Sequence, residues 1–536
     1  MHPYVAEEFS DAEVAVLRRY FTNLEGPVFA LVNLPEVVKG ALFARYSRSS
    51  KSLRRLFLDE FVGDLDLAGD VTVDATLGLE RADELYQRIF FEYGDDSVAQ
   101  LGGVHLACEQ ASNLLTKVLE RGRLMSYLEQ STRYLGYDRR LGNGLYRFYR
   151  DTDLLDSRFG ARYIGEMDRM FDTYRELLPI LTDWLGVKYP KTPEDTDFVY
   201  RQAIRAKALD GLRGLLPASA LSNLGIYASG QAYESLLLRM RANPLPEVRE
   251  YAQMMYDELA KVIPSFLKRL DVPERGLAWT KYLADTKSAT RSLLQSMETS
   301  SDTDTETEAS VRLVGYDPEG ETRVLEAIVF ANSNVSHDGA QRRVADMSTD
   351  DRRALLQSYV GARGNRRHRP GRAFERTEYR FEVVSDYGAF RDLQRHRMLT
   401  VEWQPLTVDL GYDIPEVVAE AGLGDRYEES LRRSAELFYD VRRELPEQAQ
   451  YCVALAFRIR YVMQMNAREA MHLIELRSGP QGHPSYRRVA QEMARLIREE
   501  AGHENIADAM AFVDFSETDL ERLEAERAAE RNRLQR

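Results

Sequence analysis

The sequence predicts an α+β protein built as two tandem domains, and three observations carry that expectation. Amphipathic helical stretches alternate with short runs of period two. An arginine-flanked stretch at 121–134 is echoed at 395–407, and one acidic, hydroxyl-rich segment lies between the two copies. A chain of 536 residues also exceeds what a single compact core accommodates.

Taken in order, the elements are these. Val14, Leu17, Phe21 and Leu24 recur at helical spacing until Gly26-Pro27 breaks the pattern, and a second helix carries Val37 to Leu42. The cluster from Ala44 through Arg45, Ser47, Arg48 and Ser49 to Ser52 suits a phosphate-contacting turn or an ordinary exposed one. Ala82 to Tyr93 predicts a short helix, and Val104 to Leu119 is an apolar-rich stretch leading into Arg121–Tyr134, which reads RGRLMSYLEQSTRY. If that segment is extended, its period of two aims Glu129, Ser131 and Arg133 the same way. Arg213 stands four residues ahead of Pro217, Ser229 to Arg241 predicts a helix, and Arg249 to Leu270 predicts an amphipathic helix interrupted near Pro264.

Residues 297–310, METSSDTDTETEAS, have almost nothing to bury and predict a flexible linker. They divide a first repeat (1–296) from a second (311–515), with a highly charged tail at 516–536. In the second repeat, Val311–Val314 and Thr322–Phe330 predict strands joined by a turn at Asp317-Pro318-Glu319-Gly320. Arginine is dense from Arg363 to Arg380, which suits either the phosphates of a small ligand or a solvated basic loop. Tyr379, Phe381 and Val383 alternate as in a half-buried strand. The second arginine copy, Arg395–Thr407, reads RHRMLTVEWQPLT; the stretch Asn466–Arg477, NAREAMHLIELR, predicts a helix with its first and last residues on one face. His483 follows in SGPQGHPSYR.

Bulk properties exclude several classes. A net charge of −14 argues against broad nucleic-acid binding, which needs a basic footprint. Two cysteines, Cys108 and Cys452, cannot form a disulfide framework in a chain this long. The first residues lack a secretory pattern and no run is long enough to span a bilayer, so a soluble, cytoplasmic protein is expected. No zinc spacing of cysteine and histidine occurs, and no metal is expected.

The two arginine copies resemble the signature of the flavin-dependent thymidylate synthases (ThyX), an Arg-His-Arg triplet followed by a Ser-x-Arg-Tyr ending. Arg121, Arg123, Ser126, Glu129, Ser131, Arg133 and Tyr134 fall in that register, with Gly122 in place of the histidine. The second copy keeps Arg395, His396 and Arg397 but has Pro405 where the serine stands. The resemblance implies two ThyX-like domains, each an antiparallel sheet packed with helices. It implies that Glu129, Gln130, Ser131 and Arg133 bind the substrate and that Arg213 and Arg241 act on its pyrimidine. It assigns Arg395, His396, Arg397, Asn466, Arg468, Arg477 and His483 to FAD. The first repeat thus retains the nucleotide residues and the second the flavin residues. The activity implied is reductive methylation of dUMP or a related uridine nucleotide, with NADPH and methylenetetrahydrofolate as co-substrates. Two chains would form a pseudo-tetramer, with no membrane and no extended nucleic acid as partners. The lost motif residues leave open a changed pyrimidine substrate, or a non-catalytic flavin- or nucleotide-binding scaffold.

Overall fold

The structure is a computed structural model; it describes residues 4–62, 100, 102–193, 195–297, 308–517, 520, 522–523, 526–527 and 530–531. The helix expected at Ala82–Tyr93 and most of the expected linker at 297–310 lie outside the described residues. The chain forms two compact units. The first comprises Met1–Leu177, Leu215–Thr305 and Arg426–Ala454; the second comprises Leu178–Gly214, Glu306–Asp425 and Leu455–Arg536.

Each unit is built on a four-stranded antiparallel sheet. In the first, β1 (Val28–Leu31), β2 (Gly103–Ser112), β3 (Met125–Glu129) and β4 (Leu221–Ser229) lie in the order β1-β2-β4-β3. In the second, β5 (Ser310–Tyr316), β6 (Glu378–Asp386), β7 (Thr400–Trp403) and β8 (Arg458–Asn466) lie in the order β5-β6-β8-β7. The two orders are the same, as a duplicated sequence requires. The central pairs place Leu106 opposite Ile226 and Phe381 opposite Met463, and all four side chains are buried.

The second and fourth strands of each sheet run straight into helices through a capping side chain. Ser112 accepts from Leu115 N at 3.0 Å and Ser229 from Ala232 N at 3.4 Å. Asp386 accepts from Ala389 N at 2.8 Å and Asn466 from Glu469 N at 2.9 Å. Each cap satisfies an amide that the first helical turn leaves without a partner and contributes about 1 kcal/mol. The strand ends therefore fix where the following helices start.

Leu17, Phe21, Phe29, Leu42, Tyr46, Leu53 and Phe57 form one buried cluster in the first unit. Arg54 is buried beside it, 3.3 Å from Glu109 and 4.3 Å above the Phe29 ring. Glu109 also accepts from Tyr4 Oη at 2.5 Å, Tyr46 Oη at 3.0 Å and Leu53 N at 3.0 Å. These donors compensate the buried Glu109 carboxylate for the water it has lost, as a buried ion pair requires. The amphipathic stretch after Arg249 is a helix over Pro246–Ala260, broken before a short turn at Pro264–Leu267.

Two expectations are corrected. Thr322–Phe330 is not a strand: it lies inside a helix over Gly320–Ala331. Val324, Leu325, Ile328 and Val329 are its buried apolar side chains, an i, i+1, i+4, i+5 pattern that makes one helical face and outweighs the β-branched composition. The common direction expected for Glu129, Ser131 and Arg133 also fails, because β3 ends at Glu129. Tyr134 N reaches Ser131 O at 3.2 Å and Arg133 N reaches Ser131 Oγ at 3.3 Å, closing a turn. Period two stops where the ladder stops.

Candidate functional site

A cluster of titratable groups in the second unit forms where three segments meet. One is the loop after the Tyr387–Leu393 helix, carrying the Arg395-His396-Arg397 triplet; the second is the Asn466-capped helix Ala467–Arg477. The third is the basic loop between the Thr349–Val360 helix and β6.

His396 sits at the centre and is buried. Arg477 Nε donates to His396 Nε2 at 3.0 Å. Because a guanidinium can only donate, Nε2 is the accepting nitrogen and Nδ1 carries the proton. Nδ1 lies 3.3 Å from Glu469 Oε1, which accepts it. Burial, followed by the positive charge of Arg477, pushes His396 well below the ordinary imidazole range, so the ring is neutral. Burial raises Glu469 to about 7 against the pull of Arg369, Arg468 and Arg397. His472, whose ring lies 5.4 Å from that of His396, is pushed down to about 4 by burial and then by Arg369.

Beside this triad, one carboxylate is shared by three arginines. Asp392 lies 3.4 Å from Arg395, 3.7 Å from Arg477 and 3.6 Å from Arg213. Arg213 is buried and also lies 3.6 Å from Asp386, whose other oxygen accepts from Ser485. His483 caps the Pro484–Glu499 helix by accepting from Ser485 N at 3.2 Å through Nδ1, and its Nε2 lies 3.4 Å from Asp210 O. The basic loop is tied down by Arg363, which grips the buried Glu475 at 2.7 and 2.6 Å, and by Arg468 Nε donating to Pro370 O at 2.9 Å. Arg366, Arg369 and Arg397 are left on the exposed side.

The structure thus brings Arg395, His396, Asn466, Arg468, Arg477 and His483 into one region and adds Arg213 to it. Sequence reasoning missed Glu469, His472, Asp392 and Arg369. The first two were visible as the acid and base three and six residues after Asn466, one helical turn apart on the face that Asn466 starts. His396, Glu469 and His472 offer ligand atoms within 4.8 Å of one another. Their surroundings oppose a dication, since Arg477 donates to one imidazole, the Arg369 guanidinium is 3.1 Å from the other, and Arg397 and Arg468 act on the carboxylate. The donor set suits an anion.

The corresponding region of the first unit is filled differently. A Cβ at Gly122 would meet Met125 Sδ at 2.5 Å and Tyr127 Oη at 2.7 Å, so no histidine fits at that position without displacing them. Counted from the capping residues, Arg477 is the eleventh residue of its helix and Arg241 the twelfth. That single residue turns Arg241 by 100°. It lies 2.9 Å from Asp271 and over the Tyr256 ring at 4.8 Å, and not beside Glu129. Glu129 is buried 3.8 Å from Lys117. Gln130 Nε2 donates to Ser49 O at 2.6 Å and Ser131 N to Ser47 O at 3.1 Å, while Arg48 covers the Tyr134 ring at 5.0 Å. The serine-rich turn and the Gln130–Tyr134 turn are therefore packed together. Gln130 also lines a small polar cavity of about 140 Å³ with Arg147, Asn223 and Gln110.

The model of the thymidylate synthase complementing protein family matches residues 42–265 and 312–502. The chain belongs to that family. Both regions match the same family, one on each side of the acidic segment, so the chain is a divergent tandem duplication of the thymidylate synthase complementing protein. It is similar over nearly its whole length to the UPF0159 protein of Chlamydia muridarum, 40% identical over 523 residues that cover 97% of this chain and 98% of the relative. A UPF0159 protein of Chlamydia pneumoniae is 39% identical over 526 residues, covering 97% and 98%. The UPF0159 protein of Thermoplasma acidophilum is 33% identical over 516 residues, covering 91% and 97%. No helix among the described residues is long and apolar enough to cross a membrane.

Proposed function

We propose that the protein is a flavin-dependent enzyme of the thymidylate synthase type that methylates dUMP, or a related uridine nucleotide, reductively. Methylenetetrahydrofolate would supply the carbon and NADPH the electrons. The observation that carries this reading is the neutral, buried His396 held between Arg477 and Glu469 at the foot of an arginine-lined surface. Such a donor set fits FAD on chemical grounds, because Arg366, Arg369, Arg397 and Arg468 offer forked donors for a pyrophosphate. Bound there, FAD would supply hydride transfer.

The chain's own groups have distinct tasks in this reading. His396, with a fixed tautomer, presents a ring of fixed orientation rather than a charge. Arg395 and Arg477, both drawn to Asp392, are pre-oriented cations that oppose negative charge developing nearby. Arg213, seated on the same carboxylate, is the substrate-directed cation of the second unit. In the first unit Glu129, Gln130, Ser131 and Arg133 are the candidates for nucleotide contact. Two chains would bring four homologous units together.

The filled space at Gly122 favours a second reading, a scaffold that binds flavin or nucleotide without turnover. The test is a visible absorption spectrum of purified protein with FAD, then with dUMP. A flavin spectrum that shifts on dUMP addition, with NADPH consumption when methylenetetrahydrofolate is present, is the expected result. Flavin binding without NADPH oxidation would favour the scaffold, and no flavin binding at any concentration would overturn both the cofactor and the activity.

A further inference from the structure

The register of the first sheet continues past the end of β3. Its last pair is Glu129 with Leu224, and on the next rung Gln130 N donates to Asn223 O at 2.8 Å. Two residues back along β4, Leu221 N donates to Arg147 O at 2.9 Å, beside the bridge between Phe148 and Ala220. Partners across a ladder share a face, and so do residues two apart on a strand. Leu221, Asn223, Gln130 and Arg147 therefore point the same way, and all four line the cavity of about 140 Å³. Gln130 is opposite Asn223 and next to Arg147 on the same side of β4, so it stands between the other two.

Backbone partners fix which atoms of these side chains are left for the cavity. Asn223 Oδ1 accepts from Gln110 N at 2.9 Å, so Asn223 offers Nδ2, a donor. Gln130 Nε2 donates to Ser49 O at 2.6 Å, so Gln130 offers Oε1, an acceptor. The Arg147 guanidinium lies over the Tyr137 ring at 5.3 Å and has no hydrogen-bond or ion-pair partner among the described residues. The two carboxylates on the cavity wall are already engaged, Glu109 by Arg54 and Tyr46, and Glu7 by Arg55. The lining thus presents a donor, an acceptor and a donor, in that order.

The residue that orients Asn223 is itself held in a costly conformation. Gln110 has a φ of 54° in a bulge, where the β2–β4 register shifts between Cys108 and Ala111. A residue with a side chain persists in that region where its surroundings over-determine it, and such positions gather at binding sites. Here the bulge frees the Gln110 N–H from the ladder for Asn223. The Gln110 side chain meanwhile pairs with Val5 in both directions, accepting from Val5 N at 3.3 Å and donating to Val5 O at 3.1 Å. Tyr4 and Val5 become one wall of the cavity.

We propose that Asn223, Gln130 and Arg147 form a base-reading pocket that selects uracil over cytosine, which rests on the reading that the first unit contacts a pyrimidine nucleotide. The pairing edge of uracil runs carbonyl, N–H, carbonyl, the complement of the lining. That of cytosine runs amino, ring nitrogen, carbonyl. It sets an acceptor against Gln130 Oε1 and a donor against Asn223 or Arg147, whichever way it enters. The cavity has room for about four or five water molecules at roughly 30 Å³ each, which suits one ring with Leu141 and Leu221 against it. The sugar and phosphate stay outside.

Calorimetric titration of the flavin-free full chain with dUMP, dCMP and N3-methyl-dUMP tests the pocket. Binding of dUMP should be at least about tenfold tighter than that of either analogue, since each leaves a cavity group unpaired. Asn223→Asp keeps the acceptor for Gln110 N but turns the cavity donor into an acceptor, and should cut the preference for dUMP over dCMP by about tenfold or more. Arg147→Met, whose side chain has no ion pair to lose, should weaken dUMP binding while the circular dichroism matches the unaltered protein. An unaltered chain that binds no dUMP overturns the nucleotide reading and the pocket together. Binding of dUMP with a preference that Asn223→Asp leaves in place, or N3-methyl-dUMP bound as tightly as dUMP, overturns the pocket alone.

Discussion

Replacing Arg363 with alanine tests whether the basic loop owes its place to one buried ion pair. Arg363 donates to both Glu475 oxygens at 2.7 and 2.6 Å, to Ala509 O at 2.6 Å and to His368 O at 2.6 Å. Without it, the Glu475 carboxylate stays buried with Phe512 N at 3.3 Å as its remaining hydrogen-bond donor among the described residues. Removing one partner of a buried pair costs about 3–5 kcal/mol, because the other charge is left in low dielectric. Against a total stability of about 5–15 kcal/mol this is a large loss. For a unit of this size it lowers Tm by roughly 6–20 °C, at about 2–4 °C per kcal/mol. Arg372→Ala is the internal control: its pair with Glu375 at 2.9 Å is exposed, and its loss should cost about 0–1 kcal/mol. Tryptophan fluorescence suits the assay, since Trp184 and Trp403 both lie in the second unit. Substituting both partners with apolar residues, Arg363→Met with Glu475→Leu, should recover much of the loss. If Arg363→Ala unfolds at the same urea midpoint as Arg372→Ala, the pair is not what anchors the loop.

Three further outcomes follow from the same geometry. Asn466→Ala removes the cap of the Ala467–Arg477 helix and should cost about 1 kcal/mol by urea midpoint, whereas Asn466→Asp should retain most of the stability. Glu469, raised to about 7 from an ordinary 4.5, contributes stability that is present below about 4.5 and lost as pH rises through 7. His472, lowered from 6.5 to about 4, acts oppositely: its contribution is full above 6.5 and lost as pH falls toward 4. Glu469→Gln should therefore abolish the alkaline loss and leave the acid one, and urea midpoints at pH 5 and pH 8 that move in parallel with the unaltered protein would refute the assignment. Finally, Arg397→Ala should weaken flavin binding in a titration, while Arg213→Ala should retain flavin and lose the dUMP-induced spectral shift; the reverse pattern would exchange their roles.

The fold was legible in the sequence wherever periodicity and capping agreed. Tyr379, Phe381 and Val383 alternate in a strand, and the pattern of NAREAMHLIELR gives the helix, although Asn466, expected as its first residue, is instead the end of β8 and the cap. The stretch over Thr322–Phe330 misled because its β-branched residues are strand formers by composition while their spacing is helical, and burial follows spacing. The candidate site was half legible. Motif residues could be named, but the Asp392 carboxylate that gathers Arg213, Arg395 and Arg477 belongs to no motif, and its partners are brought to it only by the packed fold.

The arginines that end the two equivalent helices show why a motif match is weaker than a capped register. Aligned by their own positions, Arg241 and Arg477 look equivalent. Aligned by the capping side chains Ser229 and Asn466, which the sheets place at matching strand ends, they differ by one residue. On a helix one residue is a rotation of 100°, enough to exchange a carboxylate inside a cluster for one at the surface. Arg477 accordingly meets buried His396 and Asp392, and Arg241 meets half-exposed Asp271. Together with Met125 and Tyr127 filling the space at Gly122, that rotation leaves the first unit without a counterpart of the His396 cluster among the described residues. The second unit then carries the flavin chemistry proposed for the chain, and a deletion of one residue inside the Gly230–Arg241 helix would bring Arg241 into the register that Arg477 occupies without restoring the histidine it would need.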